Sequence, residues 1–139
     1  MYQSQKQGNQ LTIKFSASFE TINSVCMDAR LFMETENLHD MIFGVILGIR
    51  EALTNAVKHG SMMDPHREVM FFMTINKVQI HVCVSDSGSG FDWRALEKKE
   101  APASDTHGRG ISILKAYFDR VHYNECGNQI ELETKILKQ

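Results

Sequence analysis

The sequence predicts an α+β fold, a two-layer α/β sandwich with helices packed on one face of a mixed, mainly antiparallel sheet. Three observations carry that expectation. Apolar residues recur at three- and four-residue steps in two long segments, as in helices with one buried stripe. Shorter segments alternate apolar with polar residues, as strands do when one face meets a core and the other meets solvent. Their order along the chain is β-α-α-β-β-loop-α-β-β, which groups most strands into hairpins.

Each element has its own warrant. Leu11, Ile13 and Phe15 alternate with Thr12 and Lys14, a first strand. From Thr21 the period changes, and Ile22, Val25, Cys26, Ala29, Phe32 and Met33 form one helical stripe, with Ser18 or Thr21 as its cap. A second helix over 38–59 places Ile42, Val45, Ile46, Ile49, Ala52, Leu53, Ala56 and Val57 on one face. Strands over 69–75 and 78–85 follow, joined at Asn76-Lys77, with Val78, Ile80, Val82 and Val84 as the inward set. Residues 93–107 lose periodicity and collect charges, Pro102, Ser104 and Asp105, as a long surface loop does. Ile111, Leu114, Phe118 and Val121 mark a third helix. Segments 121–124 and 129–137 flank Gly127-Asn128 as a closing hairpin, with Ile130, Leu132, Thr134 and Ile136 on one face. The polar residues 1–10 read as a flexible tail.

Composition narrows the function classes. The 139 residues are expected to form one domain, 1–139, with a single core. A net charge of −2 gives no basic footprint for nucleic acid or an anionic membrane. Cys26, Cys83 and Cys126 are odd in number and fit neither a disulfide framework nor a CxxC metal pattern. The start lacks the apolar core of a signal peptide, and no later apolar run reaches membrane-spanning length. A cytoplasmic protein is expected. The histidines show no metal-ligand spacing, and the eight methionines are scattered through expected core elements as packing.

Three short motifs carry chemistry. In Glu51-Ala52-Leu53-Thr54-Asn55-Ala56-Val57-Lys58-His59-Gly60 a carboxylate and a carboxamide stand one helical turn apart. Taking Ile49 as zero, Glu51 falls at roughly 200°, Asn55 at roughly 240° and Lys58 at roughly 180°, opposite the apolar stripe. Gly44 and Gly48 share that face and strip it of bulk, which suits close approach of a ligand or another backbone. Alone, it reads as well as an ordinary solvated face. Asp86-Ser87-Gly88-Ser89-Gly90 ends an alternating strand in an acid and two glycines, which alone is as good a description of a turn. Gly108-Arg109-Gly110 precedes a helix and offers backbone amides at its positive end, although no Walker or GxGxxG pattern completes it.

In this order the motifs resemble those of the gyrase, heat-shock chaperone, histidine kinase and mismatch-repair ATPase superfamily (GHKL, Bergerat ATP-binding fold). Within it they are similar to the bacterial anti-sigma-factor serine-protein kinases, over nearly the whole chain. The resemblance implies ATP and Mg²⁺ as cofactors. It gives Glu51 the role of general base, Asn55 that of Mg²⁺ ligand and Lys58 a phosphate contact. Asp86 matches the acid that accepts the adenine amino group, Gly88 and Gly90 the glycines against the base, and Thr134 the threonine that completes the adenine pocket. Gly108, Arg109 and Gly110 fall on the phosphate side, and residues 93–107 become an ATP lid. Trp93 is then either a lid anchor or a partner contact.

Glutamate at 51 separates branches, because histidine kinases usually carry asparagine there while a hydroxyl or water nucleophile needs a base. His39-Asp40 has no following proline and no room for a preceding dimerisation hairpin, which disfavours a histidine phosphoacceptor. The implied partners are a sigma factor and a small anti-sigma-factor antagonist, with dimerisation implied by the resemblance alone. Serine kinases of this branch often have an arginine two residues before the first glycine of the third motif, and here that position is Thr106. A nucleotide-responsive binding module with little or no kinase activity is therefore the alternative from another functional class.

Overall fold

The computed structural model describes residues 1–61, 64–88 and 109–136. The chain opens with a hairpin. Strands β1 (Tyr2–Gln7) and β2 (Gln10–Ser16) pair antiparallel, from Tyr2 opposite Phe15 to Gln7 opposite Gln10. The reversal falls on Gly8-Asn9, with Gly8 at φ +61°, a conformation glycine adopts without strain. This corrects the flexible tail expected over 1–10. β1 is an edge strand held by backbone pairing, so it needs almost no apolar alternation. Of its inward side chains, the Tyr2 hydroxyl donates to Asp28 at 2.5 Å and Lys6 Nζ lies 5.2 Å from the centre of the Phe32 ring.

Helix α1 (Phe19–Thr35) begins at Ser18, whose Oγ accepts from the Thr21 amide at 3.3 Å, so Ser18 is the cap. Its buried residues are Ile22, Val25, Cys26, Ala29, Phe32 and Met33, the six that periodicity selects. The long second helix is composite. A single 3₁₀ turn (His39–Met41) leads into helix α2 (Ile42–Asn55), which passes into a π turn (Ala56–Gly60).

Strands β3 (Glu68–Ile75) and β4 (Gln79–Asp86), helix α3 (Arg109–Tyr117) and strands β5 (Arg120–Tyr123) and β6 (Gln129–Lys135) complete the fold. The six strands form one sheet in the order β1-β2-β3-β4-β6-β5, and every neighbouring pair is antiparallel. The expected α+β sandwich is present, with no parallel pairing in the described sheet. Two assignments shift. Val78 belongs to the β3–β4 turn, where Asn76 Oδ1 accepts from the Val78 and Gln79 amides, and it is 63% exposed rather than inward. Val121 lies in β5 rather than in the third helix.

The core lies between the sheet and the helices. Ile13, Phe15, Phe71, Met73, Ile80 and Leu132 from the strands meet Val25, Ile49, Leu53 and Leu114 from the helices, all fully buried. No helix among the described residues is long and apolar enough to cross a membrane.

Gly44 and Gly48 find a different use from the one expected. A Cβ at Gly44 would lie 2.2 Å from the Tyr117 ring, and one at Gly48 2.3 Å from the Phe118 ring. Aromatic side chains at the end of α3 therefore fill the space that these glycines leave, and the two helices interlock there. Phe118 is 5% exposed and has nowhere to retreat, whereas Tyr117 is 38% exposed and can swing outward. Gly48→Ala is thus expected to lower stability by about 1–3 kcal/mol, and Gly44→Ala by less. Urea denaturation of the two variants checks the ranking.

Candidate functional site

The C-terminal half of α2 and the end of β4 converge. Glu51 and Asn55 lie one turn apart on α2, both half-buried. Beyond Asn55 the helical hydrogen bonds widen, and the Ser61 amide donates to the Ala56 carbonyl five residues back at 2.8 Å. The resulting π turn sets Gly60 against the carboxylate of Asp86, where a Cβ would sit 2.0 Å from Oδ2. Gly88 closes the other side. Its amide donates to Asp86 Oδ1 at 2.7 Å, and a Cβ on it would lie 2.0 Å from the Gly60 carbonyl oxygen. Two glycines from distant segments thus cradle one carboxylate, and neither has room for a side chain.

The closing hairpin locks this turn. Asn124 Oδ1 accepts from the amides of Gly127, Asn128 and Gln129 at 2.8, 3.0 and 3.3 Å, while Gly127 takes φ +77°. Asn128 is thereby presented to β4. Its carbonyl accepts from the Asp86 amide at 2.9 Å, and its Nδ2 donates to the Gly88 carbonyl at 3.2 Å. Sequence reasoning ended the first motif on Gly60 without giving it a role, and it gave none to Asn128 or Tyr123, which line the gap beside Asp86. Gly127-Asn128 was legible as a turn, but the partner of that turn depends on sheet order.

Electrostatics mark the same residues. Burial pushes the Asp86 carboxyl up, against the opposing effects of the Gly88 amide and the Arg67 charge. Burial likewise raises Glu51, which moves a carboxylate toward the range where it can take a proton at neutral pH. The Tyr123 phenol is pushed up to about 12, chiefly by burial, with Asn55 lowering it and the Glu51 charge raising it. A carboxylate has acceptor sites beyond the one that Gly88 fills, so Asp86 retains capacity for a further donor.

The remaining expected site residues are not all brought here. Lys58 lies in the π turn with an exposed side chain. Thr134 is a correction. It pairs with Ile80, six strand positions and roughly 20 Å from Asn128, and lines a groove with Asp40, Tyr117 and Phe118 instead. Because β6 runs antiparallel to β4, the residues beside Asp86 come from the start of β6, not its end. Arg109 and Gly110 are described by backbone alone, at the start of α3. Gly90, Gly108 and the loop over 93–107 lie outside the described residues.

Comparison with known proteins finds relatives over most of the chain. The serine-protein kinase RsbW of Staphylococcus aureus (strain MSSA476) is 24% identical over 147 aligned residues, covering 99% of this chain and 91% of that protein. The serine-protein kinase RsbW of Bacillus subtilis (strain 168) is 25% identical over 107 residues, 71% of this chain and 67% of that protein. The model of the histidine kinase-like ATPase domain matches residues 15–134, from the second strand through the last. The chain belongs to the histidine kinase-like ATPase domain family.

Proposed function

We propose that this chain is a cytoplasmic anti-sigma regulatory factor, an ATP- and Mg²⁺-dependent serine-protein kinase that holds a sigma factor and phosphorylates a small antagonist protein. The observation that carries the reading is that Asn55 of α2 lines one gap with Asp86, the glycine-cradled carboxylate at the end of β4, while the half-buried Glu51 stands one helical turn before Asn55. In it Asp86, held by the Gly88 amide, accepts the adenine amino group, and the Gly88 backbone lies against the flat base. Asn55 Oδ1 is the protein ligand of Mg²⁺, which neutralises phosphate charge when bound. Lys58 and the Gly108-Arg109-Gly110 segment serve the phosphate side. Glu51 takes the proton of the attacking serine hydroxyl as its oxygen bonds to the γ-phosphorus and the bond to the β-phosphate oxygen breaks, leaving ADP.

Asp86→Asn tests the nucleotide site. The amide oxygen can keep the Gly88 hydrogen bond, so the fold is expected to survive by circular dichroism. Exchanging an acceptor for an N–H₂ donor opposite the adenine amino group should weaken ATP binding about tenfold or more in calorimetry. Unchanged affinity would remove Asp86 from the site.

Thr106, in place of the arginine often found there, favours a second reading in which nucleotide controls partner binding and little phosphate is transferred. Radiolabelled ATP with a co-encoded antagonist candidate separates the two. Label on the antagonist supports the kinase, while nucleotide-dependent sigma release without label supports the binding module.

A further inference from the structure

Two half-buried asparagines, Asn124 and Asn128, stand end to end between the closing hairpin and the turn that holds Asp86. Backbone groups fix the direction of each carboxamide. At the hairpin, Asn124 Oδ1 accepts from the amides of Gly127, Asn128 and Gln129, which can only donate, so its Nδ2 faces away from them. At the end of β4 the Gly88 carbonyl, which can only accept, takes the Nδ2–H₂ of Asn128 at 3.2 Å. A nitrogen and an oxygen are left to meet between the two side chains, and Asn124 Nδ2 donates to Asn128 Oδ1 at 2.6 Å. This polarity needs a carboxamide at both positions, since each residue accepts at one end and donates at the other.

We infer that Asn128 is a positioning residue for Asp86, with Asn124 setting which end of Asn128 meets the site. Asn128 reaches the acid by two routes. Its main-chain carbonyl accepts from the Asp86 amide at 2.9 Å, and its side chain holds the carbonyl of Gly88, whose own amide donates to Asp86 Oδ1 at 2.7 Å. The peptides on both sides of the Gly88 Cα are thereby fixed. Rotating them would carry the Gly88 amide off Oδ1 and change which lone pairs of the carboxylate are left for a ligand. The relay governs the direction in which Asp86 accepts, and so the selectivity of the site for a base that presents an amino group.

The inference rests on the reading of Asp86 as the acceptor of the adenine amino group, and a pair of nucleotides separates the two. Binding of ATP and of purine riboside triphosphate, which lacks that amino group, is measured by calorimetry at one Mg²⁺ concentration for wild type, Asn128→Ala and Asn124→Asp. Asn124→Asp keeps an oxygen for the three hairpin amides and leaves Asn128 intact, yet it turns an acceptor toward Asn128 Oδ1. The charge it adds acts on both nucleotides alike and cancels in the ratio of their affinities. Wild type is expected to prefer ATP, and each variant to lose about three- to tenfold of that preference. Wild type without a preference for ATP defeats the reading of Asp86. A wild-type preference preserved in either variant overturns the relay, as does an equal loss of both nucleotides, which marks a purely structural pair.

Discussion

Glu51→Gln is expected to slow phosphoryl transfer to serine by about 10²–10⁴-fold, with ATP affinity little changed. The substitution preserves length and hydrogen bonding and removes only proton acceptance. Glu51 suits that role because it is half-buried, with its carboxyl pushed up by desolvation. The sign of the pH dependence follows. A base works when deprotonated, so wild-type transfer should be full above the raised Glu51 pKa and fall as pH drops through it. That inflection should lie above the ordinary glutamate range and vanish in the Gln variant. Single-turnover kinetics with a labelled γ-phosphate read both quantities, and an unaltered rate would mean that the serine proton leaves by another route.

Gly88→Ala is expected to abolish most nucleotide binding, and Gly60→Ala to weaken it by a similar route. A Cβ at 88 would sit 2.0 Å from a backbone oxygen, and one at 60 would sit 2.0 Å from Asp86 Oδ2. In the first case main chain must give way, in the second the carboxylate itself. Displacing a group by about 1 Å in such a site is worth about 10²-fold. Calorimetry beside thermal unfolding distinguishes a displaced carboxylate from a lost fold. Near-native affinity in both variants would mean that the cradle does not position the base.

Where burial dictates residue choice, the sequence was legible. The six-residue stripe of α1 and the inward residues of β4 from Ile80 onward follow from periodicity because each side chain there faces the core. Edge strand β1 was not legible, since backbone pairing to β2 leaves no pattern in side chains that mostly face solvent. Val78 fits the alternation of β4 yet sits in a turn, because Asn76 ends the strand by capturing two amides. At the proposed site, Glu51, Asn55 and Asp86 were chosen from local spacing alone. Thr134 was misplaced although antiparallel geometry already placed the end of one strand beside the start of its partner. Gly60 and Asn128 meet Asp86 through contacts between segments far apart in the chain, and no local pattern records those.

The π turn at Ala56–Gly60 makes this stretch sensitive to length more than to composition. A ring closed over five residues takes up one more residue than an α-helical ring before the chain arrives at Asp86. That residue acts as a spacer between two halves of a site that are otherwise rigid, one on the helix and one on the sheet. An exposed position such as Lys58 can vary in identity without disturbing the spacing. Dropping any one residue between Ala56 and Gly60 would bring a neighbour's side chain to the carboxylate in place of glycine, even with every chemically active group intact. Counting residues from Asn55 to the glycine therefore says as much about whether a related chain can hold nucleotide as the identity of its acids.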